Sequence, residues 1–184
     1  MAIISVHWEK PPPNWYKLNT DRASCGNPGR ARGDRVIRGN AGNWIRGFTR
    51  YIGSTTSIIV EFWLLRDGLQ MAIQLGVQNL KVELDVKVIV DLIISRNSSN
   101  VAYSSLLFDC RLLLDKIPYS KVKRVFREAN KCANALARKG CNSQEEFVIF
   151  DVPPSDDISA LVYANENGES FCRHVVANLA ILAA

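Results

Sequence analysis

Tyr16-Lys17-Leu18-Asn19-Thr20-Asp21 alternates over six residues, with Tyr16, Leu18 and Thr20 on one face and Lys17, Asn19 and Asp21 on the other. Period two marks a strand, and this one closes on a carboxylate. α/β sheets gather ligand groups at strand ends, so the segment bears on fold and chemistry together. Upstream, Pro11-Pro12-Pro13 blocks helix and ladder pairing, so residues 1–14 read as an extended lead-in to a domain that begins near Trp15. Downstream, Gly26-Asn27-Pro28-Gly29 is dense turn chemistry. Arg35 to Arg38 and Trp44 to Tyr51, parted by Gly39-Asn40-Ala41-Gly42, then complete three antiparallel strands.

Beyond them the period changes. Ile58, Phe62, Leu65, Leu69 and Ala72 recur at three and four residues from Ser57 to Leu75, with Gly76 placed to stop a helix. Leu80 to Leu84 reads as a short strand, Val86 to Ser95 and Leu106 to Ile117 as helices, and Lys121 to Phe126 as another strand. Asn130 can cap a last short helix that carries Ala133, Leu136 and Ala137 inward and stops at Gly140. Charge and proline rise after that, so 15–141 is expected to be the domain and 142–184 a C-terminal extension, partly loose. The expected architecture is α/β.

Composition sets bounds. A chain of 184 residues with 47% hydrophobic content can bury one core. Its net charge of +5 suits a polyanionic partner. Five scattered cysteines with no Cys-x-x-Cys pair argue against a zinc site or a disulfide framework and for a reducing compartment, hence an intracellular location in cytoplasm or nucleus. The apolar run Ala2 to Val6 is too short for a signal-peptide core, and that from Val175 to Ala184 too short to span a bilayer. No membrane association is expected, and the chain is expected to be a monomer.

Three carboxylates sit where a core pattern would not ask for them. Asp21 and Asp85 each end a strand, and Glu61 lies three residues after Ile58 and four before Leu65, at the border of the apolar stripe. A carboxylate buried there needs a cation or hydrogen-bond donors. If the two strands are neighbours, the carboxylates converge, and converging carboxylates favour a hard oxygen-seeking cation, Mg²⁺ with Mn²⁺ as an alternative. Two such ions could activate water against a phosphodiester. Each residue also has an ordinary reading, as a turn cap for the aspartates and a partner of Arg66 for Glu61.

Joined to Pro11-Pro12-Pro13-Asn14-Trp15, Val36-Ile37-Arg38, Glu61-Phe62-Trp63-Leu64-Leu65-Arg66-Asp67-Gly68-Leu69, Val82-Glu83-Leu84-Asp85 and Arg127-Glu128-Ala129-Asn130, the opening strand resembles the ribonuclease H-like domains of plant proteins related to retroelement ribonuclease H. The resemblance covers about residues 8 to 141. It implies a ribonuclease H-like fold: a mixed five-stranded sheet, three antiparallel strands and then two parallel to the first, flanked by helices. It implies hydrolysis of the RNA strand of RNA–DNA hybrids by two-metal-ion catalysis, with Asp21, Glu61 and Asp85 as catalytic metal ligands.

The fourth ligand belongs four residues after Asn130, where this chain has Asn134 in place of the family's usual Asp. An amide oxygen can bind Mg²⁺ but adds no charge, so weakened activity is expected, or else a nucleic-acid-binding domain that no longer cuts. Arg22, Val86 and the pair Asp34-Arg35 are further departures from the pattern. No histidine is expected to act, because His7 and His174 lie outside the matching core segments. For substrate contact the resemblance points to Asn130 and to the backbone at Cys25, Gly26 and Asn27. Arg22, Arg30, Arg32, Arg35, Arg38, Arg46 and Arg50 gather in the hairpin region as potential phosphate contacts.

Overall fold

The computed structural model describes residues 2–26, 29–95, 103–140 and 146–175. Its main sheet has six strands. β2 (Tyr16–Gly26), β3 (Gly29–Arg38) and β4 (Trp44–Thr55) form the antiparallel meander. β5 (Asn79–Leu84) and β6 (Tyr119–Arg124) lie parallel to β2, giving the order β6-β5-β2-β3-β4. These are the five expected strands in the expected sense, and β7 (Phe147–Phe150) adds a sixth, antiparallel to β4. A separate two-stranded sheet pairs β1 (Ala2–His7) with β8 (Ser170–Val175).

The helix expected from Ser57 is α1 (Ser57–Gln74), packed on one face of the sheet. Gly76, at φ +70°, closes it, and its N–H returns to the Ile73 carbonyl, the left-handed exit that glycine adopts without a Cβ penalty. Close approach depends on Gly33, where a Cβ would stand 1.9 Å from Leu64 Cδ2. Leu18, Ile37, Phe62, Leu65, Leu69, Leu80 and Val82 fill the layer beneath α1, and α2 (Lys87–Ile94) and α3 (Ser104–Asp115) extend it. The other face is covered by α4 (Lys131–Gly140), entered through a 3₁₀ turn at Arg127–Asn130 and backed by α5 (Asp156–Glu166).

Residues on both sides of the sequence motifs thus join the fold. Trp8 is buried, donates from Nε1 to Asn19 Oδ1 at 2.9 Å, and stacks under the Arg38 guanidinium at 3.6 Å from the ring centroid. Asn165 of α5 accepts from Arg38 at 2.7 Å. The apolar stretch from residue 176 to 184 lies outside the described residues, and no described helix is long and apolar enough to cross a membrane.

Candidate active site

Asp21 and Asp85 are brought level by sheet register. In the parallel β2·β5 pair, Asn19 sits opposite Glu83, so both aspartates lie two residues further along neighbouring strands. The expected strand end at Asp21 is corrected, because pairing with β3 carries β2 on to Gly26 and leaves Asp21 mid-strand, whereas Asp85 directly follows β5. Glu61 approaches both from α1, one turn before the Leu64 that Gly33 admits. Asp21 and Glu61 are almost wholly buried, and Asp85 is partly exposed.

The electrostatics confirm that the three feel one another. Burial first, then the charge of Asp85, pushes Asp21 up to about 6. Burial, then Asp85 and Asp21, pushes Glu61 up to about 8. Burial also raises Asp85. Asp21 Oδ2, both Glu61 oxygens and Asp85 Oδ1 are buried without a hydrogen-bond donor. What faces them is positive: Arg22 Nε lies 3.1 Å from Glu61 Oε1, and Arg127 Nη2 lies 3.6 Å from Asp21 Oδ2. Among the described residues no three His, Cys, Asp or Glu side chains stand in a ready-made cation cage. The donor set is nonetheless the one a hard cation takes: carboxylate oxygens only, buried, and without hydrogen bonds.

Asn134 is engaged elsewhere. Its Oδ1 accepts from Arg127 Nε at 2.7 Å, and its Nδ2 donates to the carbonyls of Asn130 and Arg127. Asn130 is fully buried and donates to the Thr20 carbonyl at 2.7 Å, tying the 3₁₀ turn to the strand just before Asp21; its Oδ1 accepts no hydrogen bond, so the expected side-chain cap of the last helix is not formed. Arg22 pairs with Glu61 and keeps part of its side chain in solvent. Of Cys25 and Gly26 only the backbone in β2 is described, and Asn27 lies outside the described residues.

The arginine cluster is corrected. Arg35 and Arg38 are fully buried, Arg35 against Phe48 and Asp67 and Arg38 against Trp8 and Asn165, so neither can meet a phosphate. Arg50 pairs with Asp67 and Arg46 with Asp151. Arg35 and Arg38 stand three residues apart and so on opposite faces of β3, and helices cover both faces of the sheet, which takes both side chains inside. The Arg66 reading of Glu61 is also replaced, because Arg66 pairs with Asp67 and Asp109.

Two residues escaped notice as site members. Arg127 was seen only as part of a motif. Asp34 was seen only as a departure from the family pattern, yet it is fully buried directly opposite Asp21 in the hairpin register. The Gly-rich turn that pairs Gly26 with Gly29 fixes that match, so the signal was present. A cleft of about 500 Å³ between β1 and β6, lined by Val6, Glu9, Lys123 and Phe126, lies apart from the three carboxylates.

The reverse transcriptase-like family model matches residues 19–140. An Arabidopsis thaliana protein, named by inference as a ribonuclease H protein, is 34% identical over 170 residues, which are 92% of this chain and 27% of that one. The chain therefore spans about a quarter of its curated relative. Ribonuclease H1 of the archaeon Halobacterium salinarum superposes with a TM-score of 0.65 at 22% identity, over 70% of this chain and 98% of that one. The N-terminal ribonuclease H domain of a Mycobacterium tuberculosis protein gives 0.64 at 24%, over 68% and 92%. A ribonuclease H1 isolated from compost, solved with an RNA/DNA hybrid, gives 0.60 at 22%, over 67% and 94%. These likenesses establish the fold.

Proposed function

We propose, from the premise that this chain belongs to the reverse transcriptase-like family, that it hydrolyses the RNA strand of RNA–DNA hybrids beside Asp21 in the middle of β2 and Asp85 just past β5. The observation that carries the reading is the convergence of Asp21, Glu61 and Asp85 with buried, unpartnered oxygens. A lone buried carboxylate is costly, and here Asp85 adds to the cost of ionising Asp21, and both add to that of Glu61, so the arrangement is accounted for by a cation that accepts them together.

Asp21, Glu61 and Asp85 would hold Mg²⁺ or Mn²⁺, which when bound supplies an activated water and charge stabilisation for the leaving oxygen. The protein's own part is positional. Gly33 sets the height of α1 and so of Glu61, and Asn130 fixes the β2 backbone beside Asp21. Arg22 and Arg127 oppose the effect of burial on the three carboxylates without cancelling it. Incubation of the purified chain with labelled hybrid and Mg²⁺ or Mn²⁺ tests the reading. Cleavage is expected, and none above an Asp21→Asn control would sink it.

A second reading has its own observation. Asn134 brings no charge and its amide oxygen is taken by Arg127. A domain that binds hybrids without cutting them follows, and it predicts salt-sensitive binding without turnover. Gain of cleavage in Asn134→Asp would mark Asn134 as the cause.

A further inference from the structure

We propose that Asp34 is a fourth carboxylate of this metal centre, contributing from β3 the negative charge that Asn134 does not contribute from α4. The inference rests on the metal-dependent reading above and adds a ligand to it.

Alternation along β3 fixes where Asp34 points. Gly33 lies under Leu64 of α1, and Arg35 Cδ lies 3.3 Å from where a Gly68 Cβ would stand, so both neighbours of Asp34 face α1. Asp34 faces the opposite side, the one α4 covers. Asp21 takes the same side, because Leu18 packs against Gly68 and Arg22 reaches Glu61, both on the α1 side. Asp21 and Asp34 are direct cross-strand partners, which places their Cβ atoms about 5 Å apart. Asp21 thus stands on the middle strand of three, with Asp85 ending the neighbour on one side and Asp34 carried by the neighbour on the other.

A second, independent residue continues the row. Thr49 of β4 is the cross-strand partner of Asp34, shares its face, and is itself buried with an Oγ1 that has no hydrogen-bond partner. Asp34 is fully buried, and neither of its oxygens accepts a hydrogen bond. Buried carboxylates and hydroxyls normally find donors, and three consecutive strands that each present an oxygen without a hydrogen bond on one face, Asp21 with only Arg127 at 3.6 Å, form an oxygen-rich patch suited to a divalent cation. Asn134 cannot fill the role as it stands, since Arg127 occupies its Oδ1.

Mn²⁺ titration of the full chain, followed by loss of the free-ion electron paramagnetic resonance signal, tests this with no reference to cleavage. Asp34→Asn is expected to weaken Mn²⁺ binding by about tenfold or more, the size typical for a lost ligand-shell partner. If that variant does not fold, the smaller and equally neutral Asp34→Ser takes its place. Adding Asn134→Asp is expected to recover binding far more in the Asp34 variant than in the parent. Binding in Asp34→Asn within twofold of the parent, or an Asn134→Asp gain equal in both backgrounds, would overturn the proposal and leave the metal-centre reading intact. A parent chain that binds no Mn²⁺ overturns that reading, and this one with it.

Discussion

Two buried polar clusters share the face of the sheet that α4 covers, a few residues apart along β2, and they follow opposite rules. Around Lys17 and Asn19 each buried charge meets an opposite charge or an amide oxygen. Lys17 pairs with Glu83 at 2.8 Å and donates to the Glu9 carbonyl. Lys123 meets Glu83 at 3.2 Å, Asn19 donates to Glu83 at 3.2 Å, and Arg38 is held by Asn19 and Asn165. Around Asp21 and Asp34 like charges face each other with bare oxygens. One cluster is an internal splice that fastens the lead-in and the C-terminal segment to the core. The other is strained in a way that folding alone does not explain, and such strain is what a ligand site looks like without its ligand.

The comparison breaks most sharply when one charge is removed from each cluster. Glu83→Gln leaves Lys17 buried, where desolvation already pushes it down to about 8 against the pull of Glu83. The expected loss is about 3 kcal/mol of stability, a drop in Tm on the order of 10 °C by calorimetry. Glu61→Gln should do the reverse to the metal-free protein and stabilise it by about 1 kcal/mol, because it removes a carboxylate that burial disfavours. Hybrid cleavage should meanwhile fall by at least about a hundredfold. Equal destabilisation by both variants would erase the distinction between the clusters.

Sequence legibility divides along the same line. Period two in Tyr16 to Asp21 and period 3.6 from Ser57 announced β2 and α1, and from those the convergence of Asp21, Glu61 and Asp85 follows. Trp8, Arg38 and Asn165 are 127 residues apart at their widest hydrogen-bonded span, and no local period marks such a contact. For the same reason β7, a four-residue strand, and β8 were not announced: each is defined by a distant partner, β4 and β1. Arg35 read as a surface charge because arginine in a strand is exposed by default, whereas here Phe48 and Asp67 take it in.

Acidity sharpens the contrast. Asp34 and Glu61 are each raised to about 8 and Asp21 to about 6, all above the ordinary carboxylate value of the unfolded chain. Between about pH 4 and pH 8 the folded state therefore binds more protons than the unfolded one. Metal-free stability is full below that window and should decline as pH rises through it. Denaturant midpoints at pH 5 and pH 8 check the sign, and saturating Mg²⁺, which favours the ionised form, should flatten or reverse the slope. A metal-free protein that is more stable at pH 8 would contradict the account of the acidic cluster.

The smallest effect concerns what the acidic cluster uses in place of complete pairing. Arg127 is largely exposed, lies 3.6 Å from Asp21 Oδ2, and holds Asn134 Oδ1 through Nε. An ion pair at 3.6 Å whose cation is mostly in solvent contributes on the order of 0.5 kcal/mol and is weakened by salt. A cation binding to Asp21 must compete with that guanidinium, so Arg127→Ala should tighten Mn²⁺ binding by about two- to threefold at low ionic strength, and less at high salt. The same change frees the Asn134 amide oxygen while leaving the carbonyls that hold its Nδ2 in place. Weaker Mn²⁺ binding in Arg127→Ala would mean that Arg127 assembles the site by aligning Asp21 and Asn134. Tighter binding means that it is a resident counter-charge, which stands among the carboxylates until a metal ion takes its place.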